Sequence, residues 1–488
     1  LSDGYAIIER DYDDAGNVTA ERYFDGNGQP VLRRQGYAAV EKAYNEQKKV
    51  VREAYFGTDG KPVALGDGYA IIEKDYDADG NVTTERYFDG AGQSILRKQG
   101  YASVEKAYNE QKKVVREAYF GTDGKPVALG EGYAVIERNY DADGNVIAER
   151  YFDGVGESVL RKQGYAGVEK EYNEQKKVTR EAYFGTDGKP IALGDGYAII
   201  ERDYDDAGNA TAERYYDVTG QRVLRKQGYA SVEKEYNEQK KVIREAYFGT
   251  DGKPVALGDG YAIIERDYDD TGNVIAERYF DGSGEPVLRK QGYAGIEKAY
   301  NEQKKVIREA YFDTDGEALS VPDGYAVIEK DYDAAGNVTV ERYFDGAGKP
   351  VLCKRGYAAV EKAYNEQKQV IRETYFGTDR KPMALTDGYE MVEKDYDAAG
   401  NVTAERYFNS NSELVLCRQG YASVEKTYNE QKKVIRESYF GLDGKPVSIQ
   451  KGYAVIEKDY DAEGKVTAER YFDVSGQPVS FEKSDGLQ

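Results

Sequence analysis

The chain has 488 residues, of which 32% are charged, 40% are hydrophobic and none is histidine, and its net charge is -21. An acidic surface repels nucleic acid and anionic lipid, and without histidine the chain lacks the usual general base and the commonest metal ligand. We therefore expect no nucleic-acid binding, no cofactor and no enzymatic activity, and the lack of any run of about 18 apolar residues predicts no membrane insertion.

The dipeptide Gly-Tyr recurs every 32 residues from Gly4 to Gly452, without an insertion or a deletion. Two versions of the repeat alternate, so that the complete unit is 64 residues long. The first version is typified by GYAIIERDYDDAGNVTAERYFDGNGQPVLRRQ (4–35) and the second by GYAAVEKAYNEQKKVVREAYFGTDGKPVALGD (36–67). A fixed period of this length indicates an architecture in which each copy packs against its neighbours.

Each copy is predicted to contain two strands, such as YAIIERDY (5–12) and VTAERYF (18–24). Both are rich in β-branched and aromatic residues and are bounded by Asp, Gly and Asn. The turn DDAGN joins them, the turn GNGQP follows, and a long strand that contains the Gly-Tyr kink is expected to link each copy to the next. The sequence thus predicts an all-β tandem array of β-hairpins over residues 1–479 and a divergent cap or linker at 480–488.

Two arrangements of these hairpins remain open. The uniform short turns favour an elongated array, either a solenoid-like rod or an extended antiparallel sheet, on the order of 150 Å long if each copy adds two strands at about 4.8 Å. The alternative is a closed propeller of seven four-stranded blades, which also fits the number of 64-residue units.

The charges predict the register within each hairpin. If the first turn has a four-residue loop, Arg10 faces Glu21 and Ile8 faces Tyr23 on one side of the sheet. The same register brings unlike charges together on the other side. Opposed pairs of this kind contribute about 0.2–1 kcal/mol each and fix the alignment of the strands.

The stretch DYDADGNV (75–82) raises the question of a metal site. Asp75, Asp77 and Asp79 have the spacing of the first three ligands of a calcium loop. Among the eight first-version copies only Asp143 matches Asp79, whereas the glycine that follows is present in all eight. That pattern favours a hairpin turn closed by a left-handed glycine, with a weak calcium site as the alternative.

The two cysteines, Cys353 and Cys417, stand where other copies have arginine, such as Arg33 and Arg97. Equivalent positions of neighbouring 64-residue units should lie farther apart than the roughly 7 Å between Cα atoms that a disulfide allows. We interpret both as substitutions at an exposed position, without a disulfide or a bound metal.

Two families resemble parts of the repeat. The stretches YFDGNGQPV (23–31) and YFGTDGKPV (55–63), each followed by Gly-Tyr, resemble the hairpin repeats of choline- and glucan-binding modules of Gram-positive surface proteins. The stretch YDAAGNVTVERYFD (332–345) resembles the YD repeats of bacterial secreted Rhs-type proteins. The first resemblance implies exposed tyrosine rows that stack against sugar rings. The six candidate ligand-binding residues are Tyr5, Tyr12, Tyr23, Tyr37, Tyr44 and Tyr55.

The resemblances imply an extracellular or cell-surface bacterial protein. The sequence favours a rigid acidic spacer, with repetitive binding as a further role. In a pure spacer the tyrosines would only hold the hairpins together. The alternatives are a cell-wall or glycan-binding module and an array for protein-protein adhesion. The expected partners are therefore cell-wall polysaccharide, another glycan, or a host or partner protein, and the chain is expected to be a monomeric segment of a larger protein.

Overall fold

The computed structural model describes residues 3–480, and all regular elements in that range are β-strands. None of the described elements is a helix that could cross a membrane. The chain divides into two compact units. The first comprises the described residues through Lys234 together with Tyr247–Lys253, and the second comprises Glu235–Ala246 together with the described residues from Pro254 onward.

The strands follow each other at regular intervals. Those within the first unit are β1 (Ile7–Tyr12), β2 (Val18–Phe24), β3 (Ala39–Tyr44), β4 (Val50–Phe56), β5 (Ile71–Tyr76), β6 (Val82–Phe88), β7 (Ser103–Tyr108), β8 (Val114–Phe120), β9 (Val135–Tyr140), β10 (Val146–Phe152), β11 (Gly167–Tyr172), β12 (Val178–Phe184), β13 (Ile199–Tyr204) and β14 (Ala210–Tyr216). Residues of both units contribute to β15 (Ser231–Tyr236) and β16 (Val242–Phe248).

Strands of the second unit continue the same pattern. They are β17 (Ile263–Tyr268), β18 (Val274–Phe280), β19 (Gly295–Tyr300), β20 (Val306–Phe312), β21 (Val327–Tyr332), β22 (Val338–Phe344), β23 (Ala359–Tyr364), β24 (Val370–Phe376), β25 (Met391–Tyr396), β26 (Val402–Phe408), β27 (Ser423–Tyr428), β28 (Val434–Phe440), β29 (Val455–Tyr460), β30 (Val466–Phe472) and β31 (Pro478–Val479). Apart from Ser480, the predicted cap at 480–488 lies outside the described residues.

The predicted hairpin register is confirmed. In the hairpin of β1 and β2, Arg10 pairs with Glu21 and Ile8 with Tyr23. The alignment shifts by one residue at the end of β1, where Tyr12 pairs with Val18. This shift is a β-bulge beside the turn. Other hairpins have the same bulge, for example the hairpin of β11 and β12, where it lies at Tyr172.

Each hairpin also pairs with the next one. Between β2 and β3, Glu21 pairs with Val40 and Arg22 with Ala39, again antiparallel. In the second unit the pairing of β18 with β19 repeats this arrangement. The predicted all-β hairpin array is thus confirmed. No break that would separate four-stranded propeller blades occurs within the described part of either unit, where each strand pairs with its neighbours in chain order.

A third turn replaces the predicted long strand at Gly-Tyr, and that prediction was wrong. The amide of Arg33 donates to the Tyr37 carbonyl at 2.9 Å, and the amide of Gly36 donates to the Arg33 carbonyl at 2.8 Å. The turn at Asp13 has the same two hydrogen bonds. Gly36 has a φ of 93°, which residues other than glycine rarely adopt. The chain therefore reverses there instead of continuing as a strand.

Alternation along the strands gives the sheet two different faces. The tyrosine face carries Tyr23 and Val40, which are 2% and 1% exposed, and the linker with the third turn passes over it. The phenylalanine face carries Ala20, which is buried, and Phe24, which is half-buried. The main apolar cluster of the first unit lies on the tyrosine face.

Candidate functional site

A continuous row of phenol rings runs along the tyrosine face of each unit. Within the first hairpin the ring centroids of Tyr5 and Tyr23 are 4.9 Å apart, and across to the next hairpin those of Tyr23 and Tyr37 are 5.8 Å apart. The two spacings alternate as far as Tyr247. We call this row the tyrosine ladder of the first unit; its members are Tyr5, Tyr23, Tyr37, Tyr55, Tyr69, Tyr87, Tyr101, Tyr119, Tyr133, Tyr151, Tyr165, Tyr183, Tyr197, Tyr215, Tyr229 and Tyr247.

The second unit contains its own tyrosine ladder with the same geometry. Its centroid distances include one of 4.6 Å between Tyr389 and Tyr407 and one of 6.2 Å between Tyr375 and Tyr389. Tilted and edge-to-face pairs in this range stabilise by about 0.5–1.5 kcal/mol beyond the area that they bury. Its members are Tyr261, Tyr279, Tyr293, Tyr311, Tyr325, Tyr343, Tyr357, Tyr375, Tyr389, Tyr407, Tyr421, Tyr439, Tyr453 and Tyr471.

The structure places four of the six candidate tyrosines in this ladder. Tyr23, Tyr37 and Tyr55 are buried, and Tyr5 is half-buried against the same cluster. The expectation that these rings form exposed rows is therefore wrong for the buried three, because neighbouring rings and the linker cover them. Whether any of the six binds a ligand stays a prediction.

The remaining two candidates lie at the ends of the first strands. Tyr44 is half-buried, and its hydroxyl donates to the Val18 carbonyl of the preceding hairpin at 2.8 Å. Tyr76 makes the same bond to Val50. Tyr12 is 60% exposed, since no hairpin precedes it among the described residues. This tyrosine position thus fastens each hairpin to the one before it.

A half-buried arginine joins neighbouring rungs of the ladder in five of the first-version copies. One guanidinium nitrogen of Arg97 donates to the hydroxyls of Tyr87 and Tyr101, at 3.0 and 2.9 Å, and the other donates to Asp67 of the preceding copy. The guanidinium carbon also lies 4.8 Å from the centre of the Tyr87 ring. Hydrogen bonds, charge pairing and cation–π contact therefore meet at this single side chain.

The cysteines occupy this same buried position, so the interpretation as exposed substitutions was wrong. Cys353 and Cys417 are 7% and 8% exposed, and both are free thiols. In the Cys353 copy, Arg355 hydrogen-bonds to Tyr357 from two residues further along the chain. Arg355 stands where six other first-version copies have glutamine, and it replaces part of the lost arginine contact.

Charged pairs on the tyrosine face also link hairpins, which the sequence did not reveal. Glu21 accepts from Arg10 of its own hairpin at 3.0 Å and from Lys42 of the next one at 3.3 Å. The hydroxyl of Tyr23 donates to the same carboxylate at 3.0 Å. The Glu21 side chain is only 16% exposed, so this network is partly shielded from water.

Burial raises the pKa of several ladder tyrosines. Burial, together with the nearby charge of Glu85, raises the pKa of Tyr87 above its usual value. For Tyr325 and Tyr389 burial raises the pKa to about 12. The ladder is therefore made of neutral phenols at physiological pH.

Two of the three aspartates of the calcium alternative have protein partners. Asp77 accepts hydrogen bonds from the amide and the side chain of Asn81, which lower its pKa, and Asp75 pairs with Arg86. Among residues 3–480 no group of three or more Asp, Glu, Cys or His side chains is arranged to hold a metal ion. Gly80 has a φ of 78°, as the turn interpretation expects.

Replacing Arg97 with cysteine, as the chain itself does at position 353, is expected to destabilise the first unit by about 2–3 kcal/mol, because two hydroxyls and Asp67 lose their partner. Adding Gln99→Arg should restore about 1 kcal/mol, because the new guanidinium can reach Tyr101 as Arg355 reaches Tyr357. Urea unfolding of the four chains of this mutant cycle measures both terms. Equal stability of the Arg97→Cys chain with and without Gln99→Arg would contradict the compensation.

A cleft recurs on the phenylalanine face at four junctions between a first-version copy and the second-version copy that follows it. One cleft, of 260 Å³, is lined by Arg22, Phe24, Glu41 and Phe56. The first residue of the second-version strand is always small: Ala39, Ser103, Gly167, Ser231, Gly295, Ala359 or Ser423.

At the opposite junction the corresponding space is filled. The first residue of the first-version strand is Ile, Val or Met, and Ile71, for example, is 7% exposed. The following turn also packs tightly, since a Cβ added to Gly90 would lie 2.6 Å from the Cβ of Pro62. The small residue therefore leaves room for a cleft at the first kind of junction, and the large residue fills that room at the second.

A comparison with protein-family models gave no match, and neither did one with curated protein sequences. Among solved structures, the chain is similar to the crystal structure of TcdB2-TccC3-TEV, with 12% identity, a TM-score of 0.28 and coverage of 98% of this chain and 26% of that one. The Photorhabdus luminescens Tc holotoxin pore gives 12% identity, a TM-score of 0.21 and coverage of 96% and 27%. The chain therefore spans about a quarter of the length of these structures, and identities and TM-scores this low do not establish a family.

Proposed function

We propose that the chain is a non-enzymatic repeat region of a secreted or surface-exposed bacterial protein, in which it acts as an acidic spacer. The observation that supports this most is the constancy of the repeat: every 64 residues add the same four strands, joined by the same tyrosine and carboxylate contacts. Because each hairpin contacts only its neighbours, whole 64-residue repeats can be added or removed without changing the packing of the other repeats.

Distances between spin labels test the spacer function. The labels are attached at Asn27→Cys and Val155→Cys, in a chain whose own cysteines are replaced by Cys353→Arg and Cys417→Arg. These two positions lie at equivalent turns, two 64-residue repeats apart, and both belong to the first compact unit. With strands about 4.8 Å apart, we expect a separation of about 38 Å. Deleting residues 68–131 should shorten it to about 19 Å. An unchanged distance after the deletion would overturn the spacer.

Repetitive binding is a second candidate function, and the clefts of the phenylalanine face favour it. The cleft between the first two hairpins places the aromatic rings of Phe24 and Phe56 beside Arg22 and Glu41, which offer a donor and an acceptor. A cell-wall polysaccharide that spans several clefts would gain affinity from each additional one, and a partner protein is the alternative ligand.

Variants with filled clefts distinguish a binding function from a role as a spacer alone. Ala39→Ile and Ala359→Ile insert the side chain that first-version strands already carry at this position, so the fold should tolerate them. If purified cell-wall polysaccharide binds there, retention of the protein should fall with each filled cleft, whereas Tyr12→Ala should leave it unchanged. Two results would count against this second function: the filled-cleft variants are retained as well as the starting protein, or the starting protein itself is not retained.

A further inference from the structure

We propose that the tyrosine ladder of each unit conducts one-electron oxidation from ring to ring, and that in the second unit the oxidation ends on Cys353 and Cys417. The chain contains no tryptophan, so tyrosine is its most readily oxidised aromatic residue. This inference is independent of the spacer and of the binding clefts. It rests on the spacing of the rings, on a proton acceptor beside each second rung and on the placement of the two thiols.

The ring spacing provides the path. In the second unit the centroids of Tyr311 and Tyr325 are 6.1 Å apart, those of Tyr325 and Tyr343 are 4.9 Å apart, and those of Tyr343 and Tyr357 are 5.8 Å apart. Neighbouring rings are thus in or near van der Waals contact at each step. A hole on one ring needs only short transfers to move along the unit, with no gap to cross.

The carboxylates provide the proton acceptor. A phenol that loses an electron becomes a strong acid, so oxidation is easiest where a base already accepts its hydrogen bond. The hydroxyl of Tyr343 donates to Glu341 at 3.2 Å, and that of Tyr407 donates to Glu405 at 3.3 Å. On oxidation the phenol proton passes to the carboxylate and the electron passes to an external one-electron oxidant, which leaves a neutral tyrosyl radical and a carboxylic acid.

Each hopping step restores the starting state behind it. The next tyrosine with its own carboxylate lies two rungs further on; it gives an electron to the radical through the ring between them and its proton to its carboxylate, while the proton held by the first carboxylate returns to the first phenolate. The net result is a neutral radical that has moved by two rungs. Because no net charge is created on the covered face, the step avoids the cost of placing a charge where water is excluded.

The cysteines provide the end point. Cys353 packs in one apolar cluster with Tyr343 and Tyr357, and Cys417 packs in the same cluster with Tyr421. A thiol can give a hydrogen atom to a tyrosyl radical, which returns the phenol and leaves a thiyl radical. Dissolved dioxygen then adds to the sulfur and carries it to higher oxidation states. The five first-version copies that begin between Gly4 and Gly260 hold arginine at this position and have no such end point.

Photo-oxidation of the full chain tests this proposal. A ruthenium tris-bipyridyl photosensitiser with persulfate generates the oxidant in air-saturated buffer, and peptide mass spectrometry measures oxygen addition at each cysteine. We expect both buried cysteines to be oxidised in the starting protein. In the Tyr343→Phe, Tyr357→Phe double variant, Cys353 should be oxidised severalfold less than Cys417, because phenylalanine keeps the packing but is much harder to oxidise.

Cys417 serves as the control within the same molecule, since its neighbours Tyr407 and Tyr421 are unchanged. Transient absorption supplies a second measurement: tyrosyl radicals should live longer in the Cys353→Arg, Cys417→Arg chain, which restores the residue of the other copies. An unchanged ratio of Cys353 to Cys417 oxidation in the phenylalanine variant would overturn the proposal. Two unoxidised cysteines in the starting protein would overturn it as well.

Discussion

Replacing Tyr87 with alanine is expected to lower the free energy of unfolding of the first unit by about 3–5 kcal/mol. The Tyr87 ring is 2% exposed and contacts Tyr69 and Tyr101, with centroids 5.0 and 5.9 Å away. Its removal leaves a cavity and also deprives Glu85 and Arg97 of a hydrogen-bonded partner. Urea unfolding followed by circular dichroism measures the loss.

Two further variants separate the ring from its hydroxyl. Tyr87→Phe keeps the packing and should cost about 1–2 kcal/mol, because only the hydrogen bonds are lost. Tyr12→Ala removes a tyrosine that is 60% exposed and should cost less than about 0.5 kcal/mol. Similar losses for Tyr87→Ala and Tyr12→Ala would contradict a stabilising ladder.

Raising the pH above 10 is expected to unfold the protein over a narrow range. A tyrosine in the unfolded chain has a pKa of about 10. Burial raises the pKa of Tyr325 and Tyr389 to about 12 and raises that of Tyr87 as well. A raised pKa in the folded state means that the stabilisation is complete below pH 10 and is lost as the pH rises toward the folded value, because the unfolded chain releases its protons first.

Many tyrosines share this shift, so their losses add and the transition should be steep. Phenolate absorbance and the strand signal in circular dichroism should therefore change together, between about pH 10 and 12. In the contrary result, most phenols ionise near pH 10 while the strand signal in circular dichroism persists, so that the two signals change at different pH values. That result would show that the rings are open to solvent.

The hairpins and their register could be predicted because the relevant signals are local. Unlike charges such as Arg10 and Glu21 face each other across a short turn, and one register satisfies them together with Ile8 and Tyr23. The turn at Asp77 was also predictable, since its glycine is present in all eight first-version copies while the possible third calcium ligand is not.

The contacts between hairpins could not be predicted in the same way, because they depend on the path of the linker. The sequence predicts a kinked strand at Gly36 instead of a third turn, and for that reason it does not reveal the linker that covers Tyr23. One signal was available: the position of Arg33 carries Leu65 in the second version. Alternation between arginine and leucine indicates a covered site in which the guanidinium must find partners.

Hydrogen exchange of the Tyr87→Ala chain, read strand by strand within the first unit, tests most directly whether each hairpin is held by its neighbours alone. The expected result is faster exchange in β3–β8, which contain the altered rung and its neighbours, with unchanged protection in β11–β14. Faster exchange to the same degree in all of these strands would show a single cooperative core and would contradict the nearest-neighbour ladder.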